Sequence, residues 1–289
     1  MKLPRFVCPD DRALLGSFAG RAVAVRVKDP AHIVDAVANV QDAGNELFCV
    51  IVEADRPLSD LEFRDEQLSV PLAIMAPAMG SFQALAKKVD ALRRSTLRIY
   101  LPCNNPDNLS ALRILSSLGI QSCAEFVTSA NDWEALTDLM TYAVLGRRPH
   151  APIEPFSFIA ESYNPHSSVG WGSIVFDDPT RYLHLDEKGR VALSGGELRR
   201  GIFAVDSIAE IESSAMVAAI AERANAWRRY FIDNHACASC AGWKICLGRF
   251  AEDLPEDAGC TKLFSELIDV AATSKASTSR HEEVEIWRP

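Results

Sequence analysis

Apolar residues fall in short runs along the first half of this chain, and the runs alternate with stretches of helical spacing. RAVAVRV (21–27), LFCVIVEA (47–54), VPLAIMAPA (70–78), TLRIYLP (96–102) and IQSCAEFVT (120–128) have the length and apolar content of buried strands. Between them, AHIVDAVANVQDA (31–43), SFQALAKKVDALRR (81–94) and NLSALRILSSLG (108–119) place apolar residues every three or four positions, which lines one face of a helix. DWEALTDLMTYAVLG (132–146) does the same, with Asp132 near its start and Gly146 at its end. FSFIAE (156–161) reads as a sixth strand. Repeated strand–helix units predict an α/β fold, a parallel sheet with helices over its faces. No repeat of fixed period is present, which argues against a solenoid.

The texture changes after Arg147, where RRPHAPIEP leads out of the last helix. YNPHSSVGWGS (163–173) reads as a loop. RYLHLDEKGRVAL (181–193) predicts a hairpin, two alternating runs around the turn Asp186–Gly189. Residues 206–231 predict helix in two pieces, and TKLFSELIDVAAT (261–273) a closing helix. The tail that follows is polar until Ile286-Trp287.

Composition narrows the function. With 289 residues and 48% hydrophobic content, the chain buries a large core and needs no metal merely to fold. A net charge of −9 argues against nonspecific nucleic-acid binding, because phosphate repels an acidic surface. No apolar run approaches the roughly 18 residues of a membrane span. MKLPRFVCPDDRALLG lacks the apolar centre of a signal peptide, so a cytoplasmic, reducing environment is expected. Clustered cysteines then read as metal ligands and not as disulfides.

One such cluster exists. HACASCAGWKICLGRF (235–250) carries Cys237, Cys240 and Cys246, and Cys260 follows after an acidic loop, giving C-x2-C-x5-C-x13-C. A C-x2-C pair sets two sulfurs on one turn, able to share an ion, and three ligands from one loop plus one from a distance suits both tetrahedral zinc and iron–sulfur sites. Spacing alone does not choose between them, and without further information a structural zinc is the ordinary reading. His235 is a candidate donor to a thiolate. Cys8, Cys49, Cys103 and Cys123 stand singly, and Cys49 and Cys123 read as small buried hydrophobes.

The cysteine spacing resembles the end of the SPASM domain, the auxiliary-cluster module of radical SAM peptide-modifying enzymes. The hairpin and the phrase IFAVDSIAEIESSA (202–215) resemble the segments that precede it there. The resemblance implies a partial (β/α)6 barrel over 1–162, a SPASM-like cysteine-rich domain over 163–274 and a polar tail over 275–289. It assigns Cys237, Cys240, Cys246 and Cys260 to one [4Fe–4S] cluster, with zinc as the alternative. A further auxiliary cluster is not expected, since its cysteine positions fall on Ser194 and Phe250. The C-x3-C-x2-C motif that follows the first strand of radical SAM enzymes is missing, and the glycine-rich segment after the second strand falls on EADRPLSD (53–60), without glycine. The resemblance therefore implies a non-catalytic member that does not use S-adenosylmethionine and binds a peptide or a partner maturase. An electron-transfer module, a zinc-stapled interaction domain and an unrecognised enzyme stay open.

For such an enzyme, Glu53, Asp55 and Glu125 lie near strand ends, where acid–base groups of barrels gather. Solvated strand ends or ion pairs are the commoner role of such residues. His150 and His166 have no evident partner. Tyr163, Trp171 and Phe158 are candidates for lining a peptide groove, with packing as the ordinary alternative.

Overall fold

Strand–helix alternation runs as far as β7 and α7 in a computed structural model that describes residues 4–126, 131–250 and 259–285, the stretch 274–285 as backbone alone. Nine strands form one sheet: β1 (Arg5–Pro9), β2 (Ala22–Val27), β3 (Glu46–Glu53), β4 (Leu72–Met75), β5 (Leu97–Pro102), β6 (Ser122–Glu125), β7 (Ile153–Glu154), β8 (Tyr182–Leu185) and β9 (Val191–Ala192). Their order is β7-β6-β5-β4-β3-β2-β1-β8-β9. Every neighbouring pair is parallel except β8 with β9, the predicted hairpin.

Helices α1 (Arg12–Gly16), α2 (Ile33–Asp42), α3 (Phe82–Ala86), α4 (Val89–Arg94), α5 (Pro106–Ser117), α6 (Trp133–Leu145) and α7 (Phe156–Ser162) connect or follow the first seven strands. Then come α8 (Gly195–Arg200), α9 (Ser214–Asn225), α10 (Arg228–Ile232), α11 (Trp243–Cys246) and α12 (Gly259–Glu285). Local chemistry sets the starts. Asp11, Asn105 and Asp132 accept hydrogen bonds from backbone N–H groups in the first turns of α1, α5 and α6, and Pro106 adds a preset φ at the start of α5.

Strand alternation gives the sheet two apolar faces. Val23, Val25 and Val27 of β2, with Leu72 and Ile74 of β4 and Ile99 and Leu101 of β5, pack under the helices. Val7, Ala24, Ile51, Ala73, Tyr100 and Cys123 form a second, smaller core on the opposite face. The segment before β8 covers that face: Phe176 packs on Tyr182 and Tyr100 at centroid distances of 5.3 and 6.0 Å, and the Tyr100 hydroxyl donates to the Ile174 carbonyl at 2.8 Å.

Three expectations change. RFVCP forms the first strand, so RAVAVRV is the second, and seven parallel strands precede residue 155 where five were expected, with a sixth at 156–161. FSFIAE is helical as α7, and the strand before it is only Ile153–Glu154. Phe156 and Ile159 supply the reason: three positions apart, both reach the same core, which a helix allows and a strand does not. The closing helix continues to Glu285, well past residue 273. Ile286-Trp287 lies outside the described residues. Among these residues, no helix is long and apolar enough to cross a membrane.

Candidate metal centre and the cleft at the strand ends

The cysteine loop is built from two tight turns. His235 opens the first: its Nδ1 accepts from the Cys237 N–H at 3.2 Å, which caps the 3-10 turn over Ala236–Ser239 and leaves the proton on Nε2. Its ring also lies 5.1 Å from that of Tyr230. Cys240 ends this turn, its N–H donating to the Cys237 carbonyl at 3.2 Å. Cys246 sits one short helix later, in α11, which closes on Leu247 and Gly248 in left-handed conformation.

Two glycines set the depth of the loop. A Cβ on Gly242 would lie 2.6 Å from the Phe264 Cβ of α12, so the loop seats against that helix only without a side chain there. A Cβ on Gly248 would meet the Tyr230 ring at 2.3 Å. Trp243 is held in an aromatic cluster with Trp227, Tyr230 and Phe231, at centroid distances of 5.9, 6.0 and 4.9 Å.

Cys260, in the first turn of α12, completes the quartet. The Cys240 sulfur lies 3.7 Å from the Thr261 hydroxyl, beside Cys260. All four thiols are free. The Cys246 thiol is raised to about 11, mainly by burial and with Cys260 and Cys237 adding to it, against backbone hydrogen bonds from Phe250 and Arg249 that lower it. Cys260 is raised by burial and then by Cys240 and Cys237, and Cys237 by burial and then by Cys240. Cys237, Cys246 and Cys260 thus feel others of the set, and repulsion among such thiolates is what a bound cation removes. Among the described residues, no three His, Cys, Asp or Glu side chains lie close enough together to hold a metal ion. Four cysteines carried by one loop and one helix end are the donor type that thiolate centres use.

The two positions where the resemblance loses further cysteines have structural work instead. Ser194 is 3% exposed and caps α8, its hydroxyl accepting from the Glu197 N–H at 3.0 Å. Phe250 is 2% exposed, stacked on Phe264 at 5.9 Å and edge-on to Trp133 at 5.3 Å. The single cysteines Cys8, Cys49, Cys103 and Cys123 are all buried in the sheet cores, and burial raises the thiols of Cys8 and Cys49 to about 12.

A second feature lies at the carboxyl ends of β1–β3. A cleft of about 720 Å³ opens there, walled on its far side by the β8–β9 turn and α8. Glu53, at the end of β3, is bridged by Lys28 Nζ at 2.9 Å and Arg26 Nη1 at 3.9 Å, so its ion-pair role is real. Arg26 also donates to the Leu185 carbonyl at 2.7 Å, while its buried Nε has no partner. Asp186 in the turn is paired with Arg190 at 2.7 Å. Glu125, at the end of β6, is raised by burial and by Glu53 and lowered by Arg199. Asp55 is exposed and apart from this group.

The remaining candidates pack. His150 stacks on Tyr142 at 4.9 Å, and His166 is exposed. Trp171 is 2% exposed and its Nε1 donates to the Ile245 carbonyl at 3.0 Å, so it ties the cysteine loop to the sheet cover and lines no groove. Sequence reasoning missed Arg199 and His184. His184 of β8 is buried, hydrogen-bonded through Nε2 to the Phe176 carbonyl at 2.7 Å, and burial lowers its pKa to about 4. The alternation of YLHL gave no sign of it, since it sets His184 on the face opposite Leu183 and Leu185, and both faces of β8 are buried.

No family model, curated protein or solved structure matches this chain.

Proposed function

We propose that this protein is a non-catalytic relative of the radical SAM–SPASM maturases, which binds a peptide or a partner maturase and holds one [4Fe–4S] cluster on Cys237, Cys240, Cys246 and Cys260. One observation carries the reading: four free thiols in C-x2-C-x5-C-x13-C order, on one loop and at the foot of a closing helix beside a parallel sheet. The sequential order of β1–β7 supports the finer reading of the sheet as an unclosed (β/α) barrel. Correcting the first strand does not restore the missing motif, because neither 9–22 nor 28–46 contains a cysteine. Without three thiolates at that position, no iron is held open for S-adenosylmethionine.

A cluster at this loop would supply a redox centre or a rigid staple. The chain's own residues do the rest. His235 fixes the backbone of Cys237, and Gly242 lets the loop approach α12. The aromatic cluster around Trp243 screens one side from water. Anaerobic purification with iron, sulfide and zinc analysis tests the proposal. About four irons and four sulfides per chain are expected. One zinc and no iron would replace the cluster with a structural staple.

A further inference from the structure

The four cysteines of the loop and helix end are not equivalent. Cys237 lies in the 3-10 turn over Ala236–Ser239 and Cys240 ends it, its N–H on the Cys237 carbonyl at 3.2 Å. Two further bonds hold the turn in place. His235 Nδ1 accepts from the Cys237 N–H at 3.2 Å, and the His235 carbonyl accepts from the Ala238 N–H at 2.9 Å. Such a turn rises about 2.0 Å per residue, and side chains three positions apart eclipse. The two Cα atoms are therefore about 6 Å apart, with both side chains on one side of the turn. That separation falls inside the span of about 4.4–6.8 Å that a disulfide bridges.

The other cysteines lack this arrangement. Cys246 lies in α11, beyond Gly242, and its N–H is bonded to the Gly242 carbonyl at 3.0 Å. Cys260 belongs to α12 and is buried, and Cys8, Cys49, Cys103 and Cys123 are closed inside the sheet cores. The turn itself is open. Cys237 and Cys240 are half-buried, and Ala236 and Ser239 beside them are exposed and small, which leaves a tripeptide-sized reagent room to reach either sulfur.

We propose that Cys237 and Cys240 form a redox-modification site, closed to a disulfide by an oxidant of the glutathione disulfide class and reopened by a dithiol reductant. One cysteine sulfur attacks the S–S bond of glutathione disulfide and releases one glutathione, and the second sulfur then displaces the other. Two electrons and two protons pass from the cysteines to the oxidant, which leaves as two glutathione molecules. Closure withdraws two of the four candidate ligands, so the centre loads metal only while the pair is reduced. That consequence rests on the ligand reading above; the disulfide itself does not.

The test uses the full chain, stripped of metal and reduced, then exposed to glutathione disulfide, alkylated and digested with trypsin. Cleavage after Arg229 and Lys244 leaves Cys237 and Cys240 together on residues 230–244, and cleavage after Arg249 puts Cys246 on residues 245–249. Peptide 230–244 is expected unalkylated, free of glutathione and lighter by two hydrogens, with 245–249 alkylated. Cys240→Ser should retain glutathione on Cys237, while Cys246→Ser should close as the native chain does. The oxidised chain should bind zinc about tenfold more weakly than the reduced chain, with recovery in dithiothreitol. Peptide 230–244 fully alkylated, glutathione left on the native pair, or a cross-link to 245–249 overturns the site. Unchanged zinc binding overturns its control of loading. The native peptide map stands without the variants, and the iron analysis judges the cluster separately: the disulfide in a chain that never holds iron sinks the cluster and leaves the site standing.

Discussion

Phe250 shows how a single position separates two roles. The resemblance expects a cysteine ligand there; the phenylalanine instead joins the stack with Phe264 and Trp133 that fastens α12 to α6. Phe250→Ala is expected to cost about 3–5 kcal/mol in urea unfolding, the usual result of emptying a buried aromatic site. His184 makes a second residue-scale prediction. Its folded pKa of about 4 lies below the ordinary 6.5, so the unfolded chain binds its proton first. Stability from this residue is fully present above pH 6.5 and drains as the pH falls towards 4, by at most on the order of 3 kcal/mol. Unfolding midpoints measured from pH 7 to pH 4 should fall more steeply in the native protein than in His184→Gln. Equal slopes would show that His184 does not titrate as placed.

The cysteine loop and the segment covering the second face of the sheet are one mechanical piece. The Val169 N–H donates to the Lys244 carbonyl at 2.9 Å, Trp171 Nε1 donates to the Ile245 carbonyl, and Arg249 pairs with Asp177. The last residue of that piece, Phe176, holds a left-handed φ of 57° and accepts the His184 bond through its carbonyl. A change in metal occupancy therefore has a route to the sheet cover. Chelation is expected to raise hydrogen exchange across 169–177 as well as across 235–249, and to leave β2–β5 protected. Exchange confined to the cysteine loop would show that the ties do not transmit. The loop itself was legible in sequence, because four cysteines at that spacing are visible without a fold. Its ties were not, because Trp171 and Ile245 meet only when the chain has closed.

At the scale of the whole molecule, the sheet does not depend on the proposed cluster. Its two apolar faces are filled by strand and helix residues far from the cysteines, so Cys240→Ser should lose bound metal yet keep its far-UV circular dichroism and a cooperative unfolding transition. Collapse of the whole fold in that variant would mean that the centre is a global staple. The edge strands β7 and β9 have two residues each, which leaves little free ladder for another chain to pair with. Apolar periodicity determined the α/β class, five of the parallel strands and the hairpin, because burial on both faces writes itself as continuous apolar runs. It did not reveal β1, whose run is short and breaks at Pro9-Asp10-Asp11, and it misjudged α7, whose FSFIAE suits either period until the core is placed. The thiol quartet was determined by spacing along the chain. The cleft at the ends of β1–β3 was decided by tertiary structure alone, since Arg26, Glu53 and Leu198 come from β2, β3 and α8 and share a wall only when the chain has closed.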